Sequence, residues 1–269
     1  MKGILFAALL PLAIHLYAQP TGAYATIGPL KMYYEIHGKG QPLVLIHGGG
    51  STIGTSFGQV IDAFAQHRQV IAVELQAHGH TADIDRPLSF QQDADDVASL
   101  LAQLGIPQAD FLGFSNGGQT VIEIALRHPK LVRKLVLAST FYKREGAYPW
   151  LWAGFPQASL DNMPKDLRDA NLAITHDSAS LKRMFNRDVE RMKAFTGWSD
   201  EAIRSIQAPT LVMIGDEDVT KPEHAVEMYR TFPHARLIIL PGKHGEFLQA
   251  AGPLPLCTVA MVGEFLDVP

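Results

Sequence analysis

The stretch Gly113-Phe114-Ser115-Asn116-Gly117-Gly118 constrains this chain more than any other, because it separates an apolar run, Ala109 to Leu112, from a helix-like run, Thr120 to Leu126. A chain that passes from strand to helix within so few residues must turn sharply. Gly113 and Gly117 flank the serine at places where side chains would collide with the turn, so Ser115 Oγ is predicted to stand exposed at a helix N-terminus. A hydroxyl presented in this way is placed to act as a nucleophile once a base activates it.

An earlier segment fits the same chemistry. Leu43-Val44-Leu45-Ile46 is all apolar, which predicts a strand buried on both faces, and it runs into His47-Gly48-Gly49-Gly50. A glycine-rich loop offers bare backbone N–H groups. When an alkoxide adds to a carbonyl, negative charge develops on the carbonyl oxygen, and each fixed N–H donor there is worth about 3 kcal/mol of barrier. Gly49 N–H and Asn116 N–H, the latter just after the serine, are the expected pair of this oxyanion hole. A phosphate-binding loop is the competing reading of these glycines, but no Lys follows at P-loop spacing and no G-x-G-x-x-G is present.

A serine hydroxyl needs a base and a group that orients the base. Thr210 to Ile214 is another apolar, β-rich run, ending in Gly215-Asp216-Glu217-Asp218-Val219-Thr220-Lys221-Pro222. Arg236 to Leu240 reads as the next strand and leads to Pro241-Gly242-Lys243-His244-Gly245. Both loops lie past the C-terminal ends of predicted strands, where an open parallel sheet places its site. Asp216 and Asp218 are rival carboxylates for His244, while Glu217 points elsewhere on an extended loop.

Taken in order, His47-Gly48-Gly49-Gly50, Gly113-Phe114-Ser115-Asn116-Gly117, Gly215-x-x-Asp218-x-x-x-Pro222 and Pro241-Gly-x-His244 resemble the motifs of the α/β-hydrolase fold superfamily, over nearly all of the chain after residue 22. The resemblance implies an α/β fold with a mostly parallel central sheet, helices on both faces and a helical cap insertion. It also implies a triad of Ser115 as nucleophile, His244 as base then acid, and Asp218 as the carboxylate that fixes the imidazole, the Gly-x-x-Asp spacing favouring Asp218 over Asp216. No cofactor or metal is called for. Relatives often carry Met or Leu after the serine, where this chain has Asn116. The backbone donor is unaffected, so the difference bears on substrate preference more than on activity. The expected activity is hydrolysis of a carboxylic ester of a small or medium hydrophobic substrate through an acyl-enzyme intermediate. The same triad in relatives serves C–C bond, lactone or amide hydrolysis, acyl transfer or perhydrolysis, and a ligand-binding protein with little turnover is the reading from another class.

The formal charge of −4, without a basic run, gives no footprint for nucleic acid. Apolar residues make up 47% of the chain, enough for a sizeable core. Lys2 precedes the apolar run Gly3 to Tyr17, too short to span a bilayer, and Leu16-Tyr17-Ala18 before Gln19 resembles a signal-peptidase site. Residues 1–18 are therefore expected to be a signal peptide of an exported enzyme, periplasmic or secreted, with an uncleaved membrane anchor as the alternative. Residues 19–140 and 207–269 are assigned to the core domain and 141–206 to the cap. A hairpin (Ala23 to Ile27, Lys31 to His37) precedes strands near 43–47, 70–75, 109–114, 134–138, 210–215 and 236–240, and alternation with helices predicts a mostly parallel sheet covered on both faces. Ser89 to Leu104 reads as one such helix, opened by a Ser89/Gln92 capping box.

Residues 141–206 lack a strong β-type run and read as short helices carrying Trp150, Trp152, Phe155, Met163, Met184, Phe185, Met192, Phe195 and Trp198, so the pocket they roof should be apolar. His37, His67, His128, His176, His224 and His234 sit beside polar or turn residues and are expected on the surface. His78-Gly79-His80 reads as a structural loop rather than a metal site, for want of a third ligand. With Cys257 the only cysteine, no internal disulfide can form, and its thiol is expected to be inert. The sequence leaves the oligomeric state open.

Overall fold

The computed structural model describes residues 22–268; the expected signal peptide lies outside the described residues. Eight strands form one sheet: β1 (Ala23–Ile27), β2 (Leu30–His37), β3 (Gln41–Ile46), β4 (Arg68–Glu74), β5 (Ala109–Phe114), β6 (Val132–Ala138), β7 (Thr210–Glu217) and β8 (Ala235–Lys243). Their order is β1-β2-β4-β3-β5-β6-β7-β8. Only the pairings of β2 with β1 and with β4 are antiparallel; every pairing from β4 to β8 is parallel. The all-apolar runs are explained by the packing on either side. In β3, Leu43 and Leu45 enter one core, Val44 and Ile46 the other, and all four are fully buried. At about 1.5–3 kcal/mol for each such side chain, their burial is comparable with the cost of ordering the strand's backbone, about 1–2 kcal/mol per residue.

Helices cover both faces. Of α1 (Ile53–Phe57), α2 (Ile61–Ala65), α3 (Phe90–Gln103), α4 (Asn116–Arg127), α5 (Pro149–Gly154), α6 (Lys165–Thr175), α7 (Ser178–Ala194), α8 (Asp200–Arg204), α9 (Pro222–Thr231), α10 (Glu246–Gln249) and α11 (Leu254–Asp267), α3, α4 and α9 pack on the face that receives Val44 and Ile46, and α1, α2, α10 and α11 on the other. Helices α5 to α8 interrupt the alternation between β6 and β7, and α6 and α7 reach back to the loops that follow β3 and β4.

Two sequence expectations are corrected here. The capping box of α3 forms only in half: Ser89 Oγ accepts from Gln92 N–H at 3.1 Å, but the Gln92 side chain donates forward to Asp96 at 3.0 Å instead of back to Ser89. His224 is not on the surface but 3% exposed, because its face of α9, with Ala225, Met228 and Thr231, turns inward. Its Nδ1 is paired with Glu227 and its Nε2 accepts from Tyr142 N–H.

Candidate active site

Ser115 joins β5 to α4 with φ 52° and ψ −121°, a conformation a non-glycine residue adopts only under constraint, at roughly 1–3 kcal/mol. The constraint is visible in its bonds. Ser115 N–H donates to Ala138 C=O at 2.9 Å, and Ser115 C=O accepts from Gly118 N–H at 2.8 Å. A Cβ on Gly113 would strike the Gly117 carbonyl, and one on Gly117 would strike the carbonyls of Ile46 and His47 at the end of β3. The glycines thus let the elbow turn and also let α4 lie against β3. Ser115 is half-buried rather than fully exposed.

His244 and Asp218 reach the serine from the ends of the last two strands. His244, just past β8, has Nε2 3.1 Å from Ser115 Oγ and Nδ1 2.7 Å from Asp218 Oδ1. Asp218, just past β7, is 3% exposed and accepts further bonds from Ser139 Oγ, Gly215 N–H and Thr220 N–H. Burial pushes its carboxyl up, but the bonds from His244, Ser139 and Thr220 outweigh burial and hold it below the usual carboxylate range. Asp216 is exposed and bonds Gly242 N–H at 2.8 Å, so the two rivals are separated by geometry. The sequence reading missed Ser139. It ends β6 as Ser115 ends β5, shares the positive φ of 52°, and also accepts from Gly245 N–H, so one hydroxyl links the acid loop to the histidine loop.

The loop after β3 is shaped by His47. Its Nε2 accepts from Leu75 N–H at 3.0 Å, so Nδ1 carries the proton and donates to Gly48 C=O at 2.7 Å. Burial, with the charge of His78 nearby, pushes this imidazole down to about 3, which keeps it neutral. A trans peptide points its N–H opposite its C=O. Fixing Gly48 C=O therefore turns Gly49 N–H the other way, and neither Gly49 N–H nor Asn116 N–H donates to an acceptor among the described residues.

Residues 41–251 match the family described as the alpha/beta hydrolase fold. The chain belongs to this family. It is 28% identical over 256 residues to a pimeloyl-(acyl-carrier protein) methyl ester esterase of Nitrosospira multiformis, covering 82% of this chain and 94% of that one. It is 30% identical over 254 residues to a 2-hydroxymuconate semialdehyde hydrolase of Pseudomonas sp. strain CF600, covering 85% and 88%. A serine hydrolase involved in carbazole degradation shares the fold with a TM-score of 0.78 at 22% identity, over 93% of this chain and 100% of that one. The α/β hydrolase is thus a hydrolytic enzyme.

Above Ser115 the hydrolase encloses a cavity of about 610 Å³, within the roughly 300–1,000 Å³ usual for small-molecule sites. Trp150, Phe155, Met163, Met184, Phe185 and Met192 line it, whereas Trp152, Phe195 and Trp198 pack into a neighbouring cluster with Phe90 and Phe141. A larger hollow of about 840 Å³ runs along β8 and α11, away from Ser115 and His244.

One wall of the active-site cavity is charged, which the sequence reading did not foresee. Asp188 of α7 meets His78 Nε2 at 2.9 Å and Arg191 at 2.6 Å, and Arg191 continues to Asp93 of α3 at 2.7 Å. His78 Nδ1 faces Gln76 C=O at 2.9 Å, and its Nε2 faces Asp188 Oδ2 at 2.9 Å and, more distantly, Gly50 N–H at 3.3 Å. Burial alone would push His78 down, but the Asp188 carboxylate outweighs it and holds His78 above its ordinary value. Asp188 in turn is held well below the carboxylate range by His78 and Arg191 despite its burial. A signal was present in the sequence: Leu181, Met184, Asp188, Arg191 and Met192 form the buried stripe of α7, and two charges interrupt it.

Proposed function

We propose that the hydrolase is a serine esterase acting on neutral carboxylic esters with an apolar acyl group. Ser115 Oγ attacks the carbonyl carbon as His244 Nε2 takes its proton, and Asp218 holds the imidazolium by its Nδ1–H. Gly49 N–H and Asn116 N–H receive the oxyanion. His244 then returns the proton to the leaving alkoxide, leaving an acyl group on Ser115, and water activated by the same imidazole releases the acid. The observation that carries this reading is the line Asp218–His244–Ser115, 2.7 and 3.1 Å in its two steps, beneath an apolar cavity. The helices between β6 and β7 are read as the cap that keeps this cavity dry.

The relative named for 2-hydroxymuconate semialdehyde acts on a compound that bears a carboxylate. No Lys or Arg lines the cavity here, and the ionisable groups that do are Asp188 and His244. His78 and Arg191 are already paired with Asp188, so the lining offers a substrate carboxylate no free cation, which favours the ester over that chemistry.

A fluorophosphonate followed by p-nitrophenyl esters of increasing chain length tests the proposal. Labelling at Ser115, turnover that improves with acyl length until the cavity is filled, and poor turnover of a hemisuccinate ester are expected. Labelling without ester turnover would overturn it in favour of another reaction on the same serine.

A further inference from the structure

Gly50, one residue beyond the proposed oxyanion donor, is gripped on both of its peptide groups by side chains of the inserted helices. Its N–H donates to Asp188 Oδ2 of α7 at 2.6 Å, and its C=O accepts from Asn171 Nδ2 of α6 at 2.8 Å. Both residues are buried, Asn171 to 1% exposure. Gly50 has φ 66°, and glycine alone imposes little on the chain, so a Gly50 held only by its second, longer contact to His78 Nε2 at 3.3 Å would loosen the Gly49–Gly50 peptide and leave the Gly48–Gly49 peptide to His47 alone.

The grip is itself anchored. Asp188 Oδ2 receives Gly50 N–H and His78 Nε2–H, and Oδ1 receives Arg191, which is fixed to Asp93 of α3 and lies over the Phe90 ring at 4.7 Å. With these bonds Asp188 has little capacity left for a ligand, although it lines the cavity. Asn171 Nδ2 is shared between Gly50 C=O and Leu167 C=O in its own helix. Neither side chain is free to recognise substrate; both are spent on holding a loop.

We infer that Asp188 and Asn171 are positioning residues of the inserted helices, which fix the Gly49–Gly50 peptide while α6 and α7 are seated on the core and so complete the alignment of Gly49 N–H that His47 begins. This inference rests on the serine-esterase reading. Seating the helices and completing the oxyanion hole become one event, so an enzyme with its cavity open to water is also one with a poorly formed hole.

The experiment compares wild type with Asp188→Ala and Asn171→Ala, using kcat, KM and the affinities of two inhibitors of one shape. A trifluoromethyl ketone is attacked by the serine and develops the oxyanion, whereas the matching methyl ketone stays a neutral ligand. The expected result is kcat lowered about 10- to 100-fold, less than the roughly 10²- to 10³-fold of losing one oxyanion donor outright. KM and methyl ketone affinity should stay within about threefold, and trifluoromethyl ketone affinity should fall by nearly the same factor as kcat. If Asp188→Ala does not fold, Asn171→Ala and Asn171→Asp carry the test, the second placing a carboxylate against Gly50 C=O and expected to lose as much. Folded variants that keep trifluoromethyl ketone affinity within about threefold, or that weaken both ketones equally, overturn the inference. Fluorophosphonate labelling of wild type separates the two failures: an unlabelled, inactive wild type removes the esterase reading and this inference together, while a labelled wild type with unaffected variants removes this inference alone.

Discussion

Where β4, β5 and β6 begin, Asp110 is fully buried between Arg68 and Arg133, Arg68 reaches on to Asp267 at the end of α11, and Lys134 closes on the carbonyls of Phe265 and Val268. At the opposite edge, where the parallel strands finish, ionisable pairs are as dense: Asp218 with His244, Asp188 with His78 and Arg191, Arg191 with Asp93. Charge and burial alone therefore do not tell a reactive end from an inert one. The differences are of another kind. At the starting end, Asp110 and the three cations fasten α11 to the sheet. At the finishing end, the backbone is held at positive φ at Ser115 and Ser139 and the chain of bonds ends on a hydroxyl that faces a cavity, whereas the larger hollow beside Lys134 and Val268 at the starting end has neither. A buried ion pair holds; strained backbone beside a cavity, with a nucleophile at the end of the relay, is what distinguishes a place for chemistry.

The comparison is sharpest at Ser115. Ser115→Ala should abolish labelling and lower kcat at least about 10³-fold, while the melting temperature moves by no more than a few degrees. Activity above a few per cent of wild type in a clean preparation would falsify the serine mechanism. Next in size is the contrast within one loop. Asp218→Asn should lower kcat by about 10³- to 10⁴-fold by removing the acceptor that fixes the His244 tautomer, and exposed Asp216→Asn should change it only a few-fold; steady-state kinetics of the pair decide, and a reversed order would place the acid at Asp216.

At the starting end the expected pattern inverts. Asp110→Ala leaves Arg68 and Arg133 without their buried partner, at about 3–5 kcal/mol, so denaturant unfolding should show that loss while kcat of the folded enzyme stays within about twofold. A large fall in kcat at constant stability would break the division between the ends. The smallest effect concerns pH. Burial pushes Asp93 up to about 6 in spite of Arg191, while an unfolded Asp titrates near pH 3.9. The folded state thus binds this proton more tightly, and its contribution to stability falls as pH rises from about 4 to 6, by at most about 3 kcal/mol. Asp93→Asn lacks that titration, so the stability of wild type relative to the variant should decline across this window. A difference that grows with pH there would mean that Arg191 overcomes the burial.

The fold was legible because its determinants are local. Runs such as Leu43–Ile46 and Val212–Ile214 have apolar side chains at every position, which only a strand covered on both faces requires. The residues around Ser115 were legible because a glycine turn, a strand end and a chain order go together. What remained hidden was long-range. Asp188 and Gly50 are 138 residues apart and Asn171 and Gly50 are 121, and a charge on a helix otherwise reads as its solvated face. His224 misled for a similar reason: Pro222 and Glu223 beside it suggest a surface, but the register of α9 turns it towards Tyr142. Ser139 gave no signal beyond its place at a strand end, since its partner Asp218 is supplied by a different loop.

Gly113 and Gly117 have room for no side chain, the one against the start of α4 and the other against the end of β3. The spacing among Ser115, α4 and the loop after β3 is therefore written in backbone and lies outside the reach of ordinary substitution. The cavity wall is written in side chains, and Trp150, Phe155, Met184 and Phe185 come to it from the segment between β6 and β7, not from the elbow. A breeder of new variants has room to search at these apolar wall positions, but not at Asn171 or Asp188, which hold Gly50, and almost none between 113 and 117. The chain is arranged like a tool with a fixed blade and interchangeable jaws, in which diet can drift while the cut stays the same.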